Sequence, residues 1–288
     1  MINTRYKDRL FSFIFGRPER KGWTLSLYNA VNGSSYINPE DIEIMTIEDV
    51  LYMGMKNDMA FLLTDIANMY EQQSTYNPNM PVRKLMYAAR FYDKYIHMNK
   101  LNIYSTKQIW LPVPKLVTFY NGKTEQEDAI LELKDAFRTK DGRPVDAESD
   151  IQVHVRMINI NYGRNKKLMS ACRPLLEYAW FVGEIRKNNE YMDIETAVDS
   201  ALDAMPEEFE LKKLLIVNKA EVKQMCITEY NEAETMEQFR EEGKEEGREE
   251  NREETAIIML KDNLELDKVV RYSGLSKSRV LELQKTLK

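Results

Sequence analysis

The chain has 288 residues, 43% of them hydrophobic and 10% aromatic, enough to bury a sizeable core in one large domain or one domain with an appendage. A formal charge of −6 argues against a protein that is basic all over, and no apolar run approaches the ~20 residues of a membrane helix. The opening Met-Ile-Asn-Thr-Arg-Tyr-Lys-Asp lacks a signal-peptide apolar region, so the sequence predicts a cytoplasmic protein with no membrane partner.

The charge is uneven. Between Arg5 and Lys21 six basic residues face two acidic ones, and between Lys268 and Lys288 six face Glu282 alone. Such stretches could contact phosphates or be ordinary solvated surface. Cys172 and Cys226 sit in apolar helical patterns and read as reduced core thiols. No Cys/His cluster has zinc spacing, and His97 and His154 lie far apart.

In chain order, residues 6–15 read as a short helix stopped by Gly16, with Pro18 beyond it and Asp8 in its first turn. Trp23 to Val31 is a second helix, with Leu25, Tyr28 and Val31 on its apolar face and Asn32-Gly33 ending it. Ile42-Glu43-Ile44 alternates as a strand fragment, and Val50 to Met55 continues as an apolar, sheet-bound segment.

Asp58 opens the stretch around which the chain is organised. Met59 to Leu63 is an apolar strand, Thr64-Asp65 can turn the chain, and Ile66 to Gln73 reads as the returning strand. Alternation puts Glu71 and Gln73 on one face and Gln72 on the other. The hairpin would bring Asp58 close to Glu71. Two carboxylates flanked by an amide form a hard-oxygen site suited to Mg2+ or Mn2+, and such an ion can polarise a phosphodiester and activate a water. After a polar loop, Pro81 to His97 is a strong helix, with Pro81 in its first turn and Leu85, Ala88, Ala89, Tyr92 and Ile96 as the expected buried stripe. Arg83 lies near its start, and Tyr87 reads as a packing residue.

Asp, a short interval and then Glu-x-Gln resembles the PD-(D/E)XK nuclease core in its Glu-x-Gln form. Longer words narrow the likeness: Met-Lys-Asn-Asp (55–58), Tyr-Glu-Gln-Gln-Ser-Thr (70–75), Asn-Pro-Asn-Met-Pro-Val-Arg (77–83) and Phe-Tyr-Asn-Gly (119–122). Together they resemble the recombination-promoting nuclease/putative transposase (Rpn) family over most of the chain. The resemblance implies a Mg2+-dependent deoxyribonuclease with DNA as partner. In it, Asp58, Glu71 and the Gln72 carbonyl would be metal ligands. Gln73 would stand where the wider superfamily carries Lys; it can hydrogen-bond the attacking water but brings no positive charge. Asp8, in an opening Asp8-x-x-Phe11, would be an accessory acid, and Arg83 would be aimed at the cleft, where a guanidinium could hold a phosphate. The alternatives are a first-turn charge for Asp8 and a surface arginine for Arg83.

Further on, Asn99 to Gln108 reads as a polar loop, and Lys115 to Tyr120 as a strand stopped by Asn121-Gly122. Glu125 to Phe137 reads as wholly or partly helical, and Thr139 to Ser149 as a loop. Ile151 to Ile160 is the clearest strand, with His154 on its polar face. Asn165 to Lys187 is a long helix with Leu168, Cys172, Leu175, Leu176, Ala179 and Val182 inward, kinked or divided by Pro174. Ile194 to Ala204 and Leu211 to Met225 are further amphipathic helices.

The end of the chain changes character. Phe239-Arg-Glu-Glu, Gly243-Lys-Glu-Glu, Gly247-Arg-Glu-Glu and Asn251-Arg-Glu-Glu repeat with a period of four. Glu-to-basic i,i+3 pairs contribute about 0.2–0.5 kcal/mol each, whereas Gly243 and Gly247 cost about 1 kcal/mol each. The balance predicts a solvated, marginal helix or a linker that frays. Ala256 to Leu287 then reads as helix, short helix, a turn at Gly274 and a last helix capped by Ser276, resembling a small helix-turn-helix. If it reads DNA, Lys277 and Arg279 would meet the groove; the other reading is a tail for self-association into a homo-oligomer.

The expected organisation is a nuclease-like domain over 1–230, a charged helical linker over 231–256 and a small module over 257–288. The expected fold is α/β: a PD-(D/E)XK restriction-endonuclease-like core, with a mixed central sheet flanked by helices, and an α-helical C-terminal extension. The expected activity is metal-dependent DNA cleavage; the alternative is a catalytically inactive DNA-binding or assembly protein on the same fold.

Overall fold

The computed structural model describes residues 10–45, 59–145 and 147–287. Asp8, Asp58, the run Val50 to Met55 and the start of the expected first helix lie outside them. The chain divides into two compact units, Met1–Asn231 and Glu232–Lys288, each with a core of its own. No helix among the described residues is long and apolar enough to cross a membrane.

The first unit opens with α1 (Leu10–Phe15) and α2 (Lys21–Asn32). Gly33 ends α2 with a φ of 63°, the left-handed geometry that glycine adopts at helix C-caps without steric cost. Next come β1 (Ile42–Met45), β2 (Met59–Leu63), β3 (Ile66–Gln73), α3 (Met80–Met98), β4 (Val113–Tyr120), β5 (Ala129–Glu132) and β6 (His154–Asn159). They form one mixed six-stranded sheet in the order β1-β2-β3-β4-β6-β5. The β2–β3 hairpin turns at Thr64-Asp65, as the sequence predicts, and Thr64 takes a φ of 52°. Strands β3, β4 and β6 run parallel, whereas β1–β2, β2–β3 and β5–β6 are antiparallel.

Alternation along the strands sorts side chains between two layers. On one face, Phe61, Tyr70, Val117, Phe119 and Ile158 pack with α1, α2 and the later helices. On the other, Ala60, Leu62, Ala67 and Met69 meet Tyr87 and Phe91 of α3. The later helices are α4 (Lys166–Ala171), α5 (Arg173–Asn188), α6 (Ile194–Ala204), α7 (Glu210–Val217) and α8 (Lys219–Lys261). The expected long helix is divided between α4 and α5 at Cys172, whose φ of −133° is extended, with Pro174 in the first turn of α5. The expected helix Leu211 to Met225 is also divided, at Asn218, whose side-chain amide donates to the Leu214 carbonyl and so closes α7.

Residues 125–137 are helical only in part. Ala129–Glu132 is an edge strand on β6, followed by a 3-10 turn at Leu133–Ala136. The strand alternates Leu131 inward and Ile130 outward, a period-2 pattern too short to outweigh the acidic residues around it.

In the second unit α8 runs unbroken through the four-residue repeats. It is followed by α9 (Leu266–Ser273) and α10 (Lys277–Thr286), joined at Gly274 with a φ of 70°. Ser276 caps α10 by accepting from the Arg279 N–H. Ala256, Val269, Leu275, Val280 and Leu283 fill the core of this unit.

Gly122 sits just beyond β4, where an added Cβ would lie 2.3 Å from the Tyr120 hydroxyl and 2.4 Å from the Ser74 main-chain oxygen. Gly122→Ala is therefore expected to destabilise the first unit by about 1–3 kcal/mol, read as a lower urea midpoint. An unchanged midpoint would contradict this crowding.

Candidate active site

The last three residues of β3 are polar yet buried: Glu71 is 0% exposed, Gln72 2% and Gln73 7%. They divide between faces as alternation predicts. The Gln73 amide donates to Glu71 Oε1 at 3.1 Å on the α3 side. The Gln72 amide donates to Asn121 Oδ1 at 2.7 Å, away from it.

Helix α3 brings two cations to Glu71. Arg83 Nη2 donates to Glu71 Oε1 at 2.5 Å and to the Tyr87 hydroxyl at 3.1 Å. Lys84, fully buried, donates from Nζ to the Met69 carbonyl at 3.0 Å and lies 3.4 Å from Glu71 Oε2. Arg83 thus lies against Glu71. Lys84 corrects the stripe assigned to α3. The fully buried face includes Met80, Lys84, Tyr87 and Phe91; of the expected stripe, Leu85, Ala88 and Tyr92 pack partly buried beside it, Ile96 is half-buried and Ala89 is exposed. A lysine rarely sits in a core, so the apolar pattern was phased around it. The 80/84/87/91 spacing was the available signal.

Among the described residues, two buried oxygens on this face lack hydrogen-bond partners: Glu71 Oε2, which has Lys84 only at ion-pair range, and Thr118 Oγ1. Glu71 and Thr118 are register partners across β3 and β4. Unsatisfied buried oxygens are costly, and a pair on adjacent strands suits a hard cation or an ordered water. Glu71 is the one carboxylate that the described residues place here. The second acid, Asp58, lies outside them; its chain neighbour Met59 pairs with Tyr70, the chain neighbour of Glu71. Among the described residues no group of three or more His, Cys, Asp or Glu side chains is arranged to hold a metal.

The remaining residues singled out in the sequence have plainer settings. His154 is exposed, 3.6 Å from Glu132. Both cysteines are buried and free, and burial pushes the thiol of Cys172 up and that of Cys226 well up, which makes them inert. In the second unit Arg279 is held by Glu253 at 2.6 Å and Glu282 at 2.9 Å, and Lys277 lies 3.2 Å from Asp267. Sequence reading missed Glu177, a second fully buried carboxylate. It accepts from Arg173 Nε and from the Leu211 main-chain N–H, both at 2.8 Å, so its work is to cap α7.

Removing one member of a buried ion pair leaves the other uncompensated. Lys84→Met is therefore expected to cost on the order of 3 kcal/mol. Glu71→Gln made together with it should recover part of that loss. Additive losses in a double-mutant cycle, followed by urea unfolding, would show that the two groups are not coupled.

Compared with protein-family models, with curated proteins and with solved structures, the chain gives no match. The resemblance to the recombination-promoting nuclease/putative transposase family therefore stands on the quoted words alone.

Proposed function

We propose that the chain is a metal-dependent DNA endonuclease of the recombination-promoting/putative transposase type, on a PD-(D/E)XK-type core. The observation that supports it most is Glu71: a fully buried carboxylate near the carboxyl end of a central strand, one oxygen held by Gln73 and Arg83, the other without a hydrogen-bond partner. A buried acid of that kind is a reason to look for a cation.

The donor set fits Mg2+ or Mn2+, which prefer oxygen ligands. Glu71, Asp58 and the main-chain oxygen of Gln72 would hold it. When bound, such an ion would polarise the scissile phosphodiester and lower the pKa of an attacking water. The chain does the rest. Arg83 and Lys84 keep the Glu71 carboxylate in one orientation. Arg83, partly exposed at 19%, can also reach a phosphate at the surface. Gln73 can hydrogen-bond the water, and the positive charge that it lacks is carried nearby by Lys84, 3.4 Å from Glu71.

A second reading, a nuclease-like fold that binds or assembles without cutting, draws on one observation. Two cations already surround the single described carboxylate, the arrangement of a structural buried ion pair.

Incubation of the pure protein with supercoiled DNA separates the two. Cleavage is expected in Mg2+ or Mn2+ and to fall below detection for Asp58→Ala and for Glu71→Ala. Retention of DNA without nicking in either cation would favour the second reading, and nicking by both variants at the unmutated rate would overturn the site.

A further inference from the structure

A second polar centre lies on the other side of β3. Gln72 donates to Asn121 Oδ1, and the same oxygen accepts from Arg186 Nη2 at 3.0 Å. Arg186 Nη1 donates to Asn161 Oδ1, also at 3.0 Å. Asn121 in turn donates to the Tyr178 hydroxyl, and Asn161 to the Gly122 carbonyl. The guanidinium is thus fixed by neutral amide oxygens. Among the described residues no carboxylate stands within ion-pair distance of it; Glu229 acts on it only from farther away. Burial pushes its pKa down, which means that the surroundings oppose its charge. A desolvated cation held in place without a counter-ion invites an anion.

Arg186 also lines an open pocket of about 300 Å3. Lys123, Arg164, Asn159 and Asn161 share its wall, with Glu125 as the one carboxylate. Arg164 is held by Glu125 at 2.9 Å and by Glu127 at 3.3 Å, so the positive charge left to the pocket is that of Arg186 and Lys123. Two of the five N–H groups of Arg186 are used by the asparagines. The pocket opens at the ends of β4 and β6. Those strands run parallel to β3 with Gln73, Tyr120 and Asn159 in register, so it shares a sheet edge with Glu71. Ligands of open α/β sheets gather outside the carboxyl ends of parallel strands.

We infer that this pocket is a phosphate-binding site, in which Arg186 and Lys123 hold a phosphate group carried by a nucleic-acid strand or by a free nucleotide. It goes beyond the proposed cleavage and needs no metal.

The test is calorimetric titration of the full chain in EDTA, where the Glu71 site is empty of divalent cations and its success or failure has no influence. Inorganic phosphate should bind saturably. Lys123→Glu, at an exposed side chain, should weaken binding at least tenfold with the circular dichroism unchanged, and Arg186→Gln should abolish it. Should Arg186→Gln fail to fold, Lys123→Glu decides alone. Adenosine monophosphate and an oligonucleotide with and without a 5′-phosphate identify the source. Preference for the phosphorylated strand assigns the site to nucleic acid, and equal binding of the monophosphate assigns it to a free nucleotide. No saturable phosphate binding, or unweakened binding by Lys123→Glu, overturns the inference.

Discussion

Glu71 and Lys84 are both fully excluded from solvent, and they lie 3.4 Å apart between β3 and α3. Taking either charge out of water alone costs several kcal/mol, so neither can be buried without the other. That constraint fixes the rotation of α3. Once Lys84 must face β3, helical spacing carries Met80, Tyr87 and Phe91 to the same side, where Tyr87 and Phe91 meet Ala67 and Met69. Arg83, one residue earlier, then falls at the edge of the interface, close enough to hold Glu71 and exposed enough to reach solvent. The apolar packing of this layer and the geometry of the candidate site are one solution to one electrostatic problem.

The sheet explains why polar groups collect where they do. Three adjacent parallel strands end together at Gln73, Tyr120 and Asn159, and polar residues follow close behind each: Ser74, Asn121 and, after the buried Ile160, Asn161. Alternation sends Glu71 and Gln73 to one face and Gln72 to the other, so a single strand end feeds two centres of different chemistry. One is built on a carboxylate with cations around it, the other on a guanidinium with amides around it. The two remain linked through the backbone of β3.

How much of this was legible in the sequence varies by element. The hairpin was, because Thr64-Asp65 breaks two apolar runs and strand alternation is strict enough to assign Glu71, Gln72 and Gln73 to faces. The last helix was, because Gly274 and Ser276 are strong stop and start signals. The phase of α3 was not, because the residue that sets it is a lysine, and hydrophobic patterning cannot see a charge buried by a partner thirteen residues earlier. Residues 129–132 were not, because a four-residue edge strand gains its order from pairing with β6. The pairing of Arg186 with Asn121 escaped for the same reason: Asn121-Gly122 reads locally as a turn, and the contact spans sixty-five positions of chain.

The central proposal is that Glu71, beside its ion pairs with Arg83 and Lys84, is one of the ligands of a divalent cation. Electron paramagnetic resonance of Mn2+ added to the protein tests it most directly, because it reports free ion without requiring catalysis. The account predicts that the unmutated chain removes Mn2+ from solution with a saturable stoichiometry near one and that Glu71→Gln does not. Uptake of equal extent by both, or by neither, would contradict it.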